Sequence, residues 1–513
     1  MRTEKFRSHI DTGYHFENNC ITLGGAMLDG ECQTDCLVKL PLATMNRHGL
    51  ISGATGTGKS KTLQIIAEHL SQNGVPVLLM DVKGDLSGIA RPSPGHPKID
   101  ERQQKIGLEF SPSGSPVEFL SISDEPGTRL RATVTEFGPI LLSKILGLND
   151  LQRGILAVVF KYCDDHRMPL VDLDDLRKVL QYLSGKGKEK IEREYGRIST
   201  ASVGAIVRRL VELEQQGAES FFGEPSFEVS DLLRKDRDGN GIINILRVTD
   251  IRSKPKLFST FMLQLLAEIY AKMPEEGDLP KPKFVLFIDE AHLIFDEASD
   301  VLMDQIQATI KLIRSKGIGI FFVTQNPTDI PEEVLSQLGL KVQHALRAFT
   351  AKDRKEIRMA AQNYPLTDYY NIEKEITALG TGEALITALN EDGRPTPLVR
   401  TLLRAPESRM DILTQQEITE IINHSALIPK YNKTIDKESA AELLERKMGR
   451  AQSTDKQQEL KTANRKAKQE TGGAGFSWIG TLKDAMDTTA GRQVSRTIAR
   501  ELTRGLMGIL GGK

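Results

Sequence analysis

The residues of most chemical consequence in this 513-residue chain lie in one short run, Gly53-Ala54-Thr55-Gly56-Thr57-Gly58-Lys59-Ser60. Its form is G-x-x-x-x-G-K-S, in which glycines let successive backbone N–H groups turn inward around phosphate oxygens. A helix beginning at Lys59 would add its positive end. The Lys59 ammonium would neutralise the β- and γ-phosphates, and Ser60 is spaced to ligate Mg²⁺. With Lys61 behind it, the run predicts a nucleoside triphosphate site that uses ATP and Mg²⁺. A second run, Phe284-Val-Leu-Phe-Ile-Asp289-Glu290, ends an apolar strand in two adjacent acids. There Asp289 would hold the metal-bound water and Glu290 would polarise the attacking water. A glutamate in that place favours an ATPase with its own base over a GTPase that borrows a glutamine. Gln325 closes the next apolar stretch, Ile318 to Thr324, where its amide could report loss of the γ-phosphate. Asp81 and Asp85, in Asp81-Val-Lys-Gly-Asp85, end a further strand. They are candidates to position water or metal, with an ordinary turn acid as the competing reading.

These residues need a scaffold, and the hydrophobic pattern supplies one. His48-Gly-Leu-Ile-Ser52 reads as a strand running into the glycine loop, followed by a helix from Lys59 to about Gln72 with Leu63, Ile66, Ala67 and Leu70 on one face. Val75 to Asp81 is a nearly unbroken apolar run, as a strand buried on both faces should be. Strand and helix alternate again from Ile242–Val248, through a helix over 256–272, the strand Phe284–Ile288, a helix over 299–314, and strands at 318–323, 341–346 and 383–387. The pattern predicts an α/β fold, a mainly parallel β-sheet flanked by helices. Four regions are expected: a small β-rich segment over 1–46, an ATPase core over 47–129 and 236–405, an α-helical insertion over 130–235, and a charged helical tail over 406–513.

Composition narrows the class. Lys and Arg total 68 against 69 Asp and Glu, a net charge of −1, which excludes a histone-like polycation and gives no global sign of a nucleic-acid partner. Cys20, Cys32, Cys36 and Cys163 are too few for an extracellular disulfide scaffold of this length. Cys32 and Cys36 could offer two zinc ligands, but no partner pair at suitable spacing follows, so reduced thiols are expected. The first residues have no apolar core of signal-peptide length, and no run of 18 apolar residues occurs. The expectation is a cytoplasmic protein without a membrane span.

Taken in order, Asn46 to Ser60, Asp81 to Asp85, Phe287-Ile-Asp-Glu-Ala-His292, Ile313-Arg-Ser-Lys-Gly-Ile-Gly319 and Val323-Thr-Gln-Asn-Pro327 resemble the HerA/FtsK superfamily, most of all its bacterial HerA-like ATPases of the YjgR type. Leu146 to Gln152 and Phe221 to Pro225 are similar to that subgroup as well. The resemblance spans roughly residues 40–405. It implies a RecA-like P-loop core that assembles into a homo-hexameric ring and moves along or pumps double-stranded DNA. HerA proper carries a larger N-terminal β-barrel that docks a nuclease. About 46 residues precede the core here, so a nuclease partner is not carried over.

Length bears on assembly. Asp289-Glu-Ala-His292 also spells the box of two-core helicases, yet only about 115 residues separate Glu290 from position 405, and a second core needs on the order of 150. With one core, an arginine that reaches the γ-phosphate must come from another subunit. Arg314 is the first candidate and Arg47 the second, each matching a basic position of the HerA pattern, with a surface salt bridge as the competing reading. Finally, Arg492, Arg496, Arg500 and Arg504 form a cationic stripe opposed to Val494, Ile498, Leu502, Leu506 and Leu510. Such a helix suits docking on a neighbouring subunit, DNA phosphate contact or a membrane surface. A nucleotide-switched scaffold acting on a protein partner is the alternative to a DNA motor.

Overall fold

The computed structural model describes residues 1–250, 253–296, 300–433 and 439–446. The arginine-striped segment 492–510 lies outside the described residues. Among the described residues twelve strands form one sheet: β1 (Cys20–Leu28), β2 (Glu31–Pro41), β3 (Gly49–Ser52), β4 (Val77–Asp81), β5 (Val117–Ser121), β6 (Thr128–Arg129), β7 (Ile243–Arg247), β8 (Phe284–Ile288), β9 (Ile318–Thr324), β10 (Leu340–Gln343), β11 (Glu383–Thr387) and β12 (Val399–Leu403). Their spatial order is β2-β1-β12-β11-β10-β3-β9-β8-β4-β7-β5-β6.

From β10 to β6 every neighbouring pair is parallel. Residues of β3, β4, β8 and β9 are buried without exception. That is why their sequences read as continuous apolar runs rather than alternating ones: helices cover both faces of a parallel sheet. Phe287 of β8 stands beside Phe321 of β9, with ring centroids 5.0 Å apart.

The other end of the sheet is antiparallel. The β1–β2 hairpin joins through β12, where Gly24 pairs with Leu403. The first 46 residues thus extend the core sheet, after a helix at Arg2–Gly13 that no periodicity announced. That helix is short of apolar residues, and Phe6 and Ile10 alone are fully buried on it. Strand β10 ends at Gln343 rather than 346 because His344 and Ala345 turn in beneath the glycine loop.

The chain divides into two compact units. One holds 1–131, 216–221 and 225–434, including the whole sheet. The second holds 132–215, 222–224 and 439–446 of the described residues and is helical, with helices at Val134–Ile145, Asp150–Asp165, Leu173–Ser184, Lys188–Tyr195 and Thr200–Gln215. Of the insertion expected over 130–235, residues 130–131, 216–221 and 225–235 belong to the first unit. Among the described residues, no helix is long and apolar enough to cross a membrane.

Candidate functional site

Strand β3 delivers the glycine loop to the carboxyl edge of the sheet, and the helix Lys59–Gln72 leaves from it. Gly53 and Gly58 have φ of 151° and 116°. At Gly53 a Cβ would also lie 2.5 Å from the Cβ of His344, so only glycine fits there. The loop is pinned from beneath: Gly53 N–H donates to Thr324 O (3.3 Å), Ala54 N–H to Ala345 O (2.8 Å), and Gly382 N–H to Thr57 O (3.0 Å). Its tip, Thr55-Gly56, is exposed. Orphan amides at the start of the helix complete an anion-binding concavity.

The buried Lys59 ammonium donates to the carbonyls of Gly53 (2.5 Å) and Ala54 (3.1 Å). Burial and the nearby Lys83 hold its pKa below the usual lysine value, against the pull of Glu290, Asp289 and Asp85. Ser60 Oγ donates to Asp85 Oδ2 (3.0 Å). Lys61 turns its side chain to Gln64 Oε1 and the Met410 carbonyl, so only its backbone remains for a ligand.

Strand order decides how the two acids meet this loop. Strand β9 lies between β3 and β8, so Asp289 and Glu290, just past β8, face the loop across one strand. Gln325 follows β9 in that intervening place and is exposed. Asp289 is 5% exposed, and burial pushes its carboxyl up to about 6, with Lys83 pulling it back down. Asp289 Oδ2 and Asp85 Oδ1 are both buried without a hydrogen-bond partner. Two orphaned carboxylate oxygens and the Ser60 hydroxyl are a hard-oxygen donor set of the kind Mg²⁺ takes, so the residues fit that ion.

Glu290 is 1% exposed and holds φ +49°, a left-handed conformation uncommon for a glutamate. Lys83 Nζ lies 2.5 Å from its Oε1 and His292 Nδ1 lies 3.1 Å from its Oε2. Burial raises the Glu290 pKa, but Lys83 outweighs it and leaves the carboxyl below its ordinary range. Lys83 itself sits above the usual lysine value, since Asp289 and Glu290 overcome its own desolvation. Asp81 accepts the N–H groups of Gly84 (2.7 Å), Asp85 (3.2 Å) and Leu86 (3.3 Å). Burial and Asp85 push its carboxyl up to about 7. Asp81 therefore shapes the turn that presents Lys83 and Asp85, and its oxygens are taken by that turn.

Arg47 and Arg314 lie together at the opposite, amino-terminal edge. Arg47 precedes β3 and Arg314 precedes β9; burial and the charge of Arg314 both lower the Arg47 pKa, and Asn46 Nδ2 donates to Arg314 O (3.5 Å). The length of β3, roughly 13 Å at 3.3 Å per residue, separates them from the glycine loop of their own chain.

The profile of the family described as helicase HerA-like C-terminal matches residues 27–513. The chain belongs to this HerA-like family. Among curated relatives it is similar to the DNA double-strand break repair helicase HerA of Sulfurisphaera tokodaii, 24% identical over 360 residues, covering 69% of this chain and 64% of that protein. The HerA of Saccharolobus solfataricus is 22% identical over 355 residues, covering 68% of this chain and 63% of that one. The chain thus spans slightly under two thirds of these relatives' length. Among solved structures it is similar to the bacterial conjugative coupling protein TrwBdeltaN70 in an unbound form, with TM-score 0.50, 14% identity, and coverage of 80% of this chain and 94% of that one. The plasmid coupling protein TrwB with a non-hydrolysable ATP analogue also gives TM-score 0.50, at 15% identity, over 78% and 99% of the two chains. These likenesses establish the fold, the RecA-like arrangement of a mainly parallel sheet flanked by helices.

Within this HerA-like frame two site residues escaped sequence reasoning. Lys83 sits midway between Asp81 and Asp85, yet no local pattern ties it to Glu290. His344 packs under Gly53, its Nε2 2.9 Å from Thr62 Oγ1, and burial lowers its pKa to about 3, so it is a neutral support. A lone histidine after a strand carries no signal of such a role.

Proposed function

We propose that this chain hydrolyses ATP as one subunit of a ring that moves along double-stranded DNA. The observation that carries the reading is the meeting of the glycine loop, Lys59, Ser60, Asp85, Asp289 and Glu290 at one sheet edge, while Arg47 and Arg314 occupy the other. Within that scheme Gly53 to Lys61 bind the triphosphate through backbone amides, and Lys59 leaves the Gly53 and Ala54 carbonyls for the phosphates. Ser60 and Asp289 hold Mg²⁺, with Asp85 beside them; the ion, when bound, supplies charge neutralisation at the phosphates. Glu290, desolvated and anionic, accepts the proton of the attacking water. Gln325 stands where an amide senses the γ-phosphate. Since neither Arg314 nor Arg47 can cross its own sheet, the arginine comes from a neighbouring subunit, Arg314 first and Arg47 second. That need supports a closed ring, a homo-hexamer by family resemblance.

The DNA reading is supported by the repair-helicase relatives. The test is ATP turnover with and without linear duplex DNA over a salt series. Stimulation at low salt that fades as salt rises is the expected result. Turnover indifferent to duplex at every salt would favour a nucleotide-switched scaffold with a protein partner. A nuclease partner forms no part of the proposal.

A further inference from the structure

The segment Arg347 to Arg358 carries five cations and two acids, a net of +3 in twelve residues of a chain that nets −1. Both acids have local partners. Asp353 accepts the N–H groups of Phe349 and Thr350 (both 2.8 Å) in the cap of the helix Ala351–Gln362. Glu356 accepts from Asn326 Nδ2, with Lys352 3.6 Å away. Ile357, Ala360 and Ala361 bury the inner face of the helix. Lys352 and Arg358 are exposed but have acids beside them, Glu356 at 3.6 Å and Glu373 at 3.8 Å, whereas Arg347, Arg354 and Lys355 face solvent, with Phe349 86% exposed on a backbone held by the cap. Three of the nine exposed large apolar side chains among the described residues, Phe349, Met359 and Leu366, fall between residues 349 and 366, in and just after this segment. An ordinary solvated face alternates its signs; here Asp353 serves the cap and Glu356 holds Asn326, and Arg347, Arg354 and Lys355 are left as the positive run.

We infer that this face binds the phosphate backbone of nucleic acid and reports binding to the nucleotide site through the Asn326–Glu356 hydrogen bond. The inference rests on the DNA reading proposed above and names its contact surface. Arg347, just before the helix, and Arg354 and Lys355 on its exposed side form a cationic run suited to the phosphates of a polyanion. The reporting route is short. Asn326 follows Gln325, and Thr324, one residue further back, accepts the Gly53 amide of the glycine loop. A displacement of the helix 351–362 therefore pulls directly on the strand end that faces the γ-phosphate.

The experiment uses the full chain and a fluorescein-labelled linear duplex, with anisotropy read over a salt series. The variant Arg347→Glu/Arg354→Glu/Lys355→Glu should bind at least tenfold more weakly. Its salt slope should be shallower by about 2.7, at roughly 0.9 for each phosphate no longer neutralised. Basal ATP turnover and the mass by light scattering should match wild type, while the DNA-stimulated increment falls tenfold or more. Glu356→Ala should keep duplex affinity within about twofold yet lose most of the stimulation. A wild-type chain that ignores duplex overturns the DNA reading and this surface with it. A wild type that binds, beside a triple variant that keeps its affinity and slope, overturns this surface alone. Loss of the oligomer in the triple variant would also overturn it, assigning the face to a subunit contact. Stimulation that survives in Glu356→Ala overturns the reporting route.

Discussion

Replacing Lys83 by methionine should destabilise the chain far more than replacing its partner Glu290 by glutamine, and the second change should rescue the first. The asymmetry comes from burial. Glu290 is 1% exposed, whereas the Lys83 side chain is 29% exposed and keeps a path to water and to Asp289. Removing Lys83 strands a desolvated carboxylate in a strained backbone position, and breaking a buried pair from that side costs about 3–5 kcal/mol. Removing the Glu290 charge leaves a lysine able to reorient, so its cost is about 1 kcal/mol. In the double variant no uncompensated charge is left, and its stability should approach that of Glu290→Gln alone. The coupling is then about 3–5 kcal/mol, the whole cost of removing Lys83 alone. Denaturant unfolding of the four chains at one pH and ionic strength, closed as a double-mutant cycle, reads it directly. Losses that add within about 0.5 kcal/mol would mean that the two groups do not depend on each other, and would refute the reasoning.

The remaining predictions concern turnover and pH. Lys59→Ala should abolish ATP hydrolysis, and turnover near wild type would remove the glycine loop from the site. Glu290→Gln should keep nucleotide affinity while lowering kcat by about 10²–10⁴, the usual contribution of a general base; a rise in KM alone would point to binding instead. Arg314→Ala should cost about 10³–10⁵ in kcat. Mixed with Glu290→Gln chains it should regain turnover, because some interfaces then hold both intact groups; no recovery on mixing would argue against a contribution from the neighbour. Glu68 is 1% exposed and accepts from the N–H groups of Glu407 (2.8 Å) and Ser408 (3.2 Å), and burial pushes its carboxyl up to about 7. With the folded value above the unfolded one of about 4.3, the folded state binds the proton more tightly. Its stabilising effect is complete below about pH 4.3 and is lost as pH rises toward 7. Relative to wild type, Glu68→Gln should therefore fare better at pH 8 than at pH 5 in thermal unfolding; a gap that is flat with pH would show that Glu68 is ionised throughout.

Local spacing was enough to read the glycine loop, the acid pair after an apolar strand, and the parallel α/β core around them. Each is a pattern within a dozen residues, written in glycine permissiveness, in the apolar runs of doubly covered strands and in helical periodicity. One core's worth of chain also sufficed to argue for a partner subunit. The antiparallel end of the sheet was not legible, because Gly24 meets Leu403 across nearly the whole core, and no local pattern specifies such a pairing. The same holds for the finer parts of the site. Lys83 meets Glu290, Ser60 meets Asp85, and His344 supports Gly53 only because the strand order sets β4, β8, β9, β3 and β10 side by side. Arg47 and Arg314 are brought together at the far edge by the same order. Residue types and their short spacings thus determined which chemistry the chain can carry. The tertiary structure decided which charges face one another, since electrostatic pairing depends on distance and burial, and neither is written in a segment that folds only against the others.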